Sequence, residues 1–320
     1  MLFSALLILG LVTTQAVVAP TVPTEAAIKV VAGNDVVADL VRAIAGQDVE
    51  LFVLGQGADP HHYEPTPADA KKIESADLVI EFGLGLDRAM GKLHRSTGSK
   101  AKLLVVAEGL AKKGSDAAVT DHADHADHAD HADHDHNHDH GSSAVDPHIW
   151  HDPAQVRILN ERMCAALVAV RPASAESFRS RSLELDTQLV KLDEWIKAQV
   201  LLIPESKRLL VTTHDGLQSF GNRYGFRVVG IEMTSDGADV APSQLIKMVN
   251  ALRETKSAVV FGDAAHHSRI AATVAREANV RLIETLRLDS LLQTPAAEQG
   301  KAYLETMRLN VNTIVKALQD

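Results

Sequence analysis

The stretch PASAESFRSRSLELDTQLVKLDEWIKAQVLLI, residues 172–203, decides how the rest of the chain is arranged. Leu185, Leu189, Leu192, Ile196 and Val200 recur at three-and-four spacing, the period of one apolar helix face, and Pro204 marks its stop. About 30 residues at about 1.5 Å each give a rod on the order of 45 Å long, the width of a small domain or more. A continuous helix is a stiff connector, unlike a Gly/Ser linker, so the segments it joins are expected to rock slightly and not to swing.

On both sides of that helix, apolar runs alternate with helical patterns. Before it come apolar runs at 28–32, 49–54, 78–82 and 103–107, with helical patterns at 35–45, from Pro67, and at 86–93. After it come runs at 208–213, 227–231, 258–261 and 281–283. Strand-helix alternation of this kind predicts the α/β class: two similar domains with parallel-rich sheets flanked by helices. A length of 320 residues is more than one compact core usually holds, and 46% apolar with only 4% aromatic suits helices stacked on buried parallel strands. The expected division is therefore an N-terminal domain, 28–171, the linking helix, 172–203, and a C-terminal domain, 204–320.

Residues 1–27 open on an apolar run followed by small and polar residues, the pattern of a secretory signal peptide, although no Lys or Arg precedes the run. Export to the periplasm is the expectation. The single cysteine, Cys164, lies in an apolar helical pattern with Met163, Leu167 and Val168, which excludes a disulfide and a thiolate metal cluster. With no cysteine ahead of it, a lipid anchor is not expected either. The net charge of −10 owes much to seven aspartates between Asp121 and Asp139, so nucleic acid is not a partner this chain is built for.

Those aspartates belong to a tract, 121–140, that repeats Asp-His-Ala four times and then reads Asp-His-Asp-His-Asn-His-Asp-His. It has no apolar face, so a disordered loop spanning 108–145 is expected. Its imidazoles, His122, His125, His128, His131, His134, His136, His138 and His140, are mostly unprotonated near neutral pH. With carboxylates between them they form weak, exchangeable metal sites. Ordinary sequence resumes at Val145-Asp146-Pro147-His148-Ile149-Trp150-His151-Asp152-Pro153, where two imidazoles and two carboxylates crowd seven residues. Three more candidates follow apolar runs: His61, after the run ending at Leu54; His214, after Thr213; and Asp263, after Phe261. In open α/β sheets ligands sit outside the carboxyl ends of strands, which is where these side chains fall. On the residues alone the choice stays open, because His62, His151 and His266-His267 adjoin them and an aspartate in such a loop is more often a helix cap.

Taken together the motifs resemble those of the metal-binding solute-binding proteins of ABC transporters, in particular the zinc-uptake type with its histidine-rich loop. Asp59-Pro60-His61-His62-Tyr63-Glu64-Pro65 resembles the family's first ligand motif, Asp146-Pro147-His148-Ile149-Trp150 its second, Thr212-Thr213-His214-Asp215-Gly216 its third and Phe261-Gly262-Asp263 its fourth. Further likeness lies in Glu81-Phe82-Gly83-Leu84-Gly85-Leu86-Asp87 and in Ala241-Pro242-Ser243. The resemblance implies His61, His148, His214 and Asp263 as metal ligands in a cleft between the domains. It also implies a rigid linking helix, a monomer, and handover of the ion to a membrane permease. Three imidazoles and one carboxylate suit tetrahedral zinc, whereas manganese is better served by more oxygen ligands, so Zn2+ is the expected cargo ahead of manganese or iron.

Two other classes compete with this reading. A zinc hydrolase would pair an open coordination position with a base such as Glu64, Asp152 or Asp215, but the chain has neither His-Glu-x-x-His nor Gly-x-Ser-x-Gly. Gly83-Leu84-Gly85 lacks the third glycine of a dinucleotide fingerprint. The remaining rival is a periplasmic zinc buffer with no transporter, in which the tract alone would carry the function.

Overall fold

In the computed structural model of the chain the described residues are 26–57, 60–110, 146–231, 241–265, 268–293 and 300–319. Nearly all of the leader, the His/Asp tract with its eight imidazoles, and the His266-His267 pair lie outside them. The described strands form two four-stranded parallel sheets. The first holds β1 (Ile28–Ala32), β2 (Val49–Val53), β3 (Leu78–Glu81) and β4 (Lys102–Val105) in the order β2-β1-β3-β4. The second holds β5 (Leu209–Thr212), β6 (Arg227–Gly230), β7 (Val259–Asp263) and β8 (Arg281–Leu286) in the order β6-β5-β7-β8. The orders are the same, with the first strand of each sheet inside and the chain reversing direction across it. That reversal opens a crevice at the carboxyl edge of each sheet.

The helices are α1 (Asp35–Ala45), α2 (Pro67–Glu74), α3 (Arg88–Thr97), α4 (Pro153–Val170), α5 (Ala175–Val200), α6 (Gln218–Tyr224), α7 (Pro242–Glu254), α8 (Arg269–Ala278) and α9 (Ala302–Gln319). Local chemistry starts several of them. Asn34 accepts from the Val37 amide, Asp152 from Ala154 ahead of Pro153, and Ser268 from Ala271, each satisfying an amide that the first turn leaves without a partner. Thr66 and Asp69 close a reciprocal box at the start of α2, with Pro67 at the first helical position. The helical pattern at 86–93 is realised later, as α3, because Gly83, Leu84 and Gly85 all take positive φ and fold a turn around Asp87. The Asp87 carboxylate accepts from the Phe82 amide at 2.7 Å and from Gly83 at 3.0 Å, so these glycines serve a turn.

The 172–203 stretch becomes a short 3-10 turn followed by α5, 26 residues long, about 39 Å from end to end. Phe178, Leu185, Leu189, Leu192, Ile196 and Val200 are buried on it, and it packs against α4, α1 and α9. Strand alternation then divides the apolar side chains. Ile28, Val30, Leu78, Ile80, Leu210, Val259 and Phe261 face one continuous core that also takes in α1, α4, α5 and α9. Val31 and Val79 face a separate cluster on the outer side of the first sheet, and Val211 and Val260 one on the outer side of the second. The two sheets thus share their main core, with α5 running through it.

Polar ties cross the same interface. Asp39 on α1 accepts from the Gly300 and Tyr303 amides at 3.0 and 2.9 Å, and Asp193 on α5 accepts from Arg223 at 2.7 Å and from the Tyr224 hydroxyl at 2.9 Å. Among the described residues no helix is long and apolar enough to cross a membrane.

Candidate metal centre

Four loops at the carboxyl edges of the two sheets converge on one point. The first leaves β2 and carries His61. Gly55 there has φ +56°, and a Cβ on it would come within 2.5 Å of the Tyr63 ring, so glycine lets that ring lie flat on the loop. Tyr63 donates its hydroxyl to Asp69 at 2.7 Å, so the cap of α2 also anchors the His61 loop.

The second loop enters a 3-10 turn (Ile149–His151) just ahead of α4, with His148 at its start. Asp146 Oδ1 accepts from both the amide of His148, at 2.9 Å, and its ring Nδ1, at 2.7 Å. A carboxylate can only accept, so Nδ1 carries the hydrogen and Nε2 faces the site, the usual arrangement of a metal-binding imidazole. The Trp150 ring stands edge-on to Phe82 and His148, at centroid distances of 5.1 Å each, and packs an apolar surface against the His148 imidazole.

The third loop follows β5 and carries His214. The fourth follows β8 and carries Asp289, which is 8% exposed. His61 Nε2 is 3.0 Å from His148 Nε2, and His214 Nε2 is 3.2 Å from it. Asp289 sets Oδ1 3.0 Å from His148 Nε2 and 3.8 Å from His61 Nε2, and Oδ2 3.1 Å from His214 Nε2. Four donor atoms, one from each residue, lie within 4.8 Å of one another.

Electrostatics agree with a cation site. Burial pulls the His148 pKa down, but the hydrogen bond its ring donates to Asp146 and the charges of Asp146 and Asp289 more than reverse this and push it up to about 9. Burial works against ionisation of Asp289 too, yet the imidazoles of His148, His214 and His61 hold its carboxyl well below the usual range. His151 behaves in the opposite way: burial, with His148 close by, lowers it to about 4, so it is a neutral packed histidine. Asp289 Oδ1 is buried and, despite the 3.0 Å approach of His148, makes no well-aligned hydrogen bond. Neutral imidazole nitrogens 3 Å apart oppose their lone pairs, and only a proton or a cation between them relieves that.

Asp263 is not in this group, which corrects the sequence reading of the fourth motif. It is the last residue of β7, 2% exposed, and its carboxylate is taken by the amides of Ala265, at 2.5 Å, and Leu288, at 2.6 Å. Asp289 takes its place, and a signal for it existed. β8 runs on to Leu286, past the polar Glu284 and Thr285 at which the apolar run breaks, so Asp289 sits just beyond a strand end like the other three. His62 is on the surface next to His61, and His151 points to the Leu288 carbonyl. Neither belongs to the group of four.

Comparison with known proteins fits this geometry. Residues 30–317 match the family ZnuA, zinc-uptake complex component A, periplasmic. The chain is 30% identical over 295 residues to the manganese ABC transporter substrate-binding lipoprotein PsaA of Streptococcus pneumoniae serotype 4, covering 91% of this chain and 89% of that one. It is 29% identical over 298 residues to the manganese-binding lipoprotein MntA of Bacillus subtilis, covering 91% and 90%. Among solved structures, the periplasmic zinc-binding protein TroA of Treponema pallidum superposes with a TM-score of 0.71 at 24% identity, covering 90% of this chain and 98% of that one. A manganese-bound periplasmic metal-binding protein of Candidatus Liberibacter asiaticus gives 0.72, also at 24% identity and with the same coverage.

Two like parallel sheets with a four-donor group at their facing edges therefore define a metal-binding substrate-binding protein of an ABC transporter, a class of carriers and not of enzymes. The chain belongs to the ZnuA family, whose members deliver metal to a membrane permease.

Proposed function

We propose that the chain carries one divalent transition-metal ion on His61, His148, His214 and Asp289, and that this ion is zinc. The observation that carries the reading is the convergence of those four donors within 4.8 Å. Zinc bonds of about 2.0–2.1 Å to nitrogen and oxygen place tetrahedral ligands about 3.3 Å apart. His148 Nε2 lies 3.0 and 3.2 Å from the other two imidazole nitrogens and 3.0 Å from Asp289 Oδ1, and the other carboxylate oxygen lies 3.1 Å from His214 Nε2. Three imidazoles and one carboxylate are also the borderline donor set that zinc favours. Manganese is the second reading, favoured by the names of the relatives from Bacillus subtilis and Streptococcus pneumoniae. It would require Asp289 to bind through both oxygens, with water completing the shell.

In the same proposal the segments 28–171 and 204–320 are the two lobes, 172–203 joins them, and 1–27 is a leader removed on export. The tract within 108–145 gathers metal weakly outside the cleft. Metal analysis of protein purified without added metal, followed by competition between zinc and manganese, tests the reading. One zinc per chain that excess manganese fails to displace is the expected outcome. Displacement of zinc by equimolar manganese would transfer the assignment to manganese.

A further inference from the structure

The peptide just ahead of Asp289 is held at both ends by groups from different parts of the chain. The Leu288 amide donates to Asp263 Oδ2 at 2.6 Å. The Leu288 carbonyl accepts from Trp150 Nε1 at 3.0 Å and from His151 Nε2 at 3.1 Å. One residue earlier, Asn310 of α9 accepts from the Arg287 amide at 2.9 Å and donates to the Arg287 carbonyl at 2.8 Å. Trp150 and His151 are the residues that follow His148 by two and three positions, and the Trp150 carbonyl in turn accepts the Tyr303 hydroxyl at 2.8 Å. The turn that presents His148 is therefore bonded to the loop that presents Asp289.

We infer that Asp263, Trp150 and His151 are positioning residues for Asp289, and that by fixing how its carboxylate meets the ion they set the preference for a four-coordinate metal. Asp289 turns Oδ1 towards His61 and His148 and Oδ2 towards His214, an orientation that depends on where its Cα is held. With the N–H and the C=O of Leu288 both engaged, the backbone leading into Asp289 has little freedom to rotate. Both oxygens already face the imidazoles, so where the Asp289 Cα is held decides whether an ion meets one oxygen or both. With Leu288 released the carboxylate can shift to bring both onto one ion, which raises the oxygen count and suits manganese better than zinc. Groups that orient a ligand without touching the metal typically change affinity about 10- to 100-fold. The inference rests on the proposed ligand set, and it assigns the buried Asp263 a part in the site other than coordination.

The test uses Asp263→Asn and Trp150→Phe in the full chain. The asparagine keeps the volume but loses the charge and one of two acceptor oxygens, and the phenylalanine keeps the ring but loses the indole N–H. Zinc and manganese affinities are measured by competition, and cobalt is used as a spectroscopic probe of coordination number. Asp263→Asn is expected to weaken zinc about 10- to 100-fold while weakening manganese less. Its cobalt bands should lose intensity as the shell expands from four ligands. Trp150→Phe should move in the same direction by a smaller factor. A lower melting temperature with an unchanged zinc-to-manganese ratio and cobalt spectrum would mean that Asp263 is merely structural, and would overturn the inference.

A metal-independent arm separates this failure from that of the ligand assignment. In metal-free protein the Leu288 amide and the Trp150 indole hydrogen should exchange slowly, and Leu288 should exchange fast in Asp263→Asn. Fast exchange in the wild type overturns the clamp whatever the metal does. Slow exchange in a protein that binds no metal retains the clamp as a fastening between the two loops, but overturns its role in metal preference.

Discussion

Raising the pH of the metal-free protein from 6.5 to above 9 takes away a proton that the fold holds in place. His148 is 2% exposed and carries a pKa of about 9, against about 6.5 for a free histidine, because Asp146 and Asp289 outweigh the effect of burial. A group whose pKa is raised on folding stabilises the native state fully below its unfolded pKa, and that stabilisation is lost as pH rises through the folded pKa. The window is thus about 6.5 to 9. Between about 6.5 and about 9, at about 1.36 kcal/mol per pH unit, this proton contributes about 3 kcal/mol. For a chain of this size about 2 °C accompanies each kcal/mol, so this proton accounts for a fall of about 6 °C in melting temperature across the window.

With the proposed ligand set the metal-loaded protein would lack that proton, because Nε2 would be engaged by the ion, and it serves as the control. Thermal unfolding of metal-free and loaded protein at half-unit pH steps should give a gap that widens from pH 6.5 to 9. Equivalently, zinc affinity should rise with pH over the same range, and calorimetry in buffers of different ionisation enthalpy should detect proton release on binding near pH 7. A gap that stays constant across the window would refute both the charge on His148 and its place as a ligand.

Three further outcomes are expected. Asp289→Ala should cost more zinc affinity than Asp263→Asn under the same conditions, upwards of about 100-fold by competition titration, because it removes a ligand and not the support of one. Deleting 121–140 should abolish the weak metal sites and leave one tight site per chain, read as stoichiometry in an equilibrium titration. Phe178→Ala, at a fully buried position on α5, should destabilise the protein by about 3–5 kcal/mol in denaturant unfolding, since a large cavity opens in the shared core.

Most of the fold could be read from local pattern. Parallel strands buried on both faces are written as apolar runs such as those ending at Ala32 and Thr212, and α5 was visible because its buried residues keep a strict helical spacing. Three members of the four-donor group were legible for a related reason: His61, His148 and His214 each sit in a dense local motif. The fourth was not. Phe261-Gly262-Asp263 and Arg287-Leu288-Asp289 look alike locally, as an aspartate near a strand end, and which carboxylate reaches the imidazoles depends on tertiary hydrogen bonds. Asp263 is turned away by the amides of Ala265 and Leu288, contacts that span up to 25 positions and leave no trace in spacing. The role of His151 was hidden likewise, because its partner, the Leu288 carbonyl, lies 137 positions away.

The common core has a consequence for how the two halves depend on each other. Ile28, Val30, Leu78 and Ile80 on one sheet, and Leu210, Val259 and Phe261 on the other, turn towards the same interior. Cut apart near Arg208, each half would present that face to water as a broad apolar patch, the kind that drives aggregation. The halves are alike in topology but are not interchangeable modules, and fragments expressed separately should associate or precipitate, not persist as soluble lobes. Internal symmetry of strand order here coexists with one shared hydrophobic core.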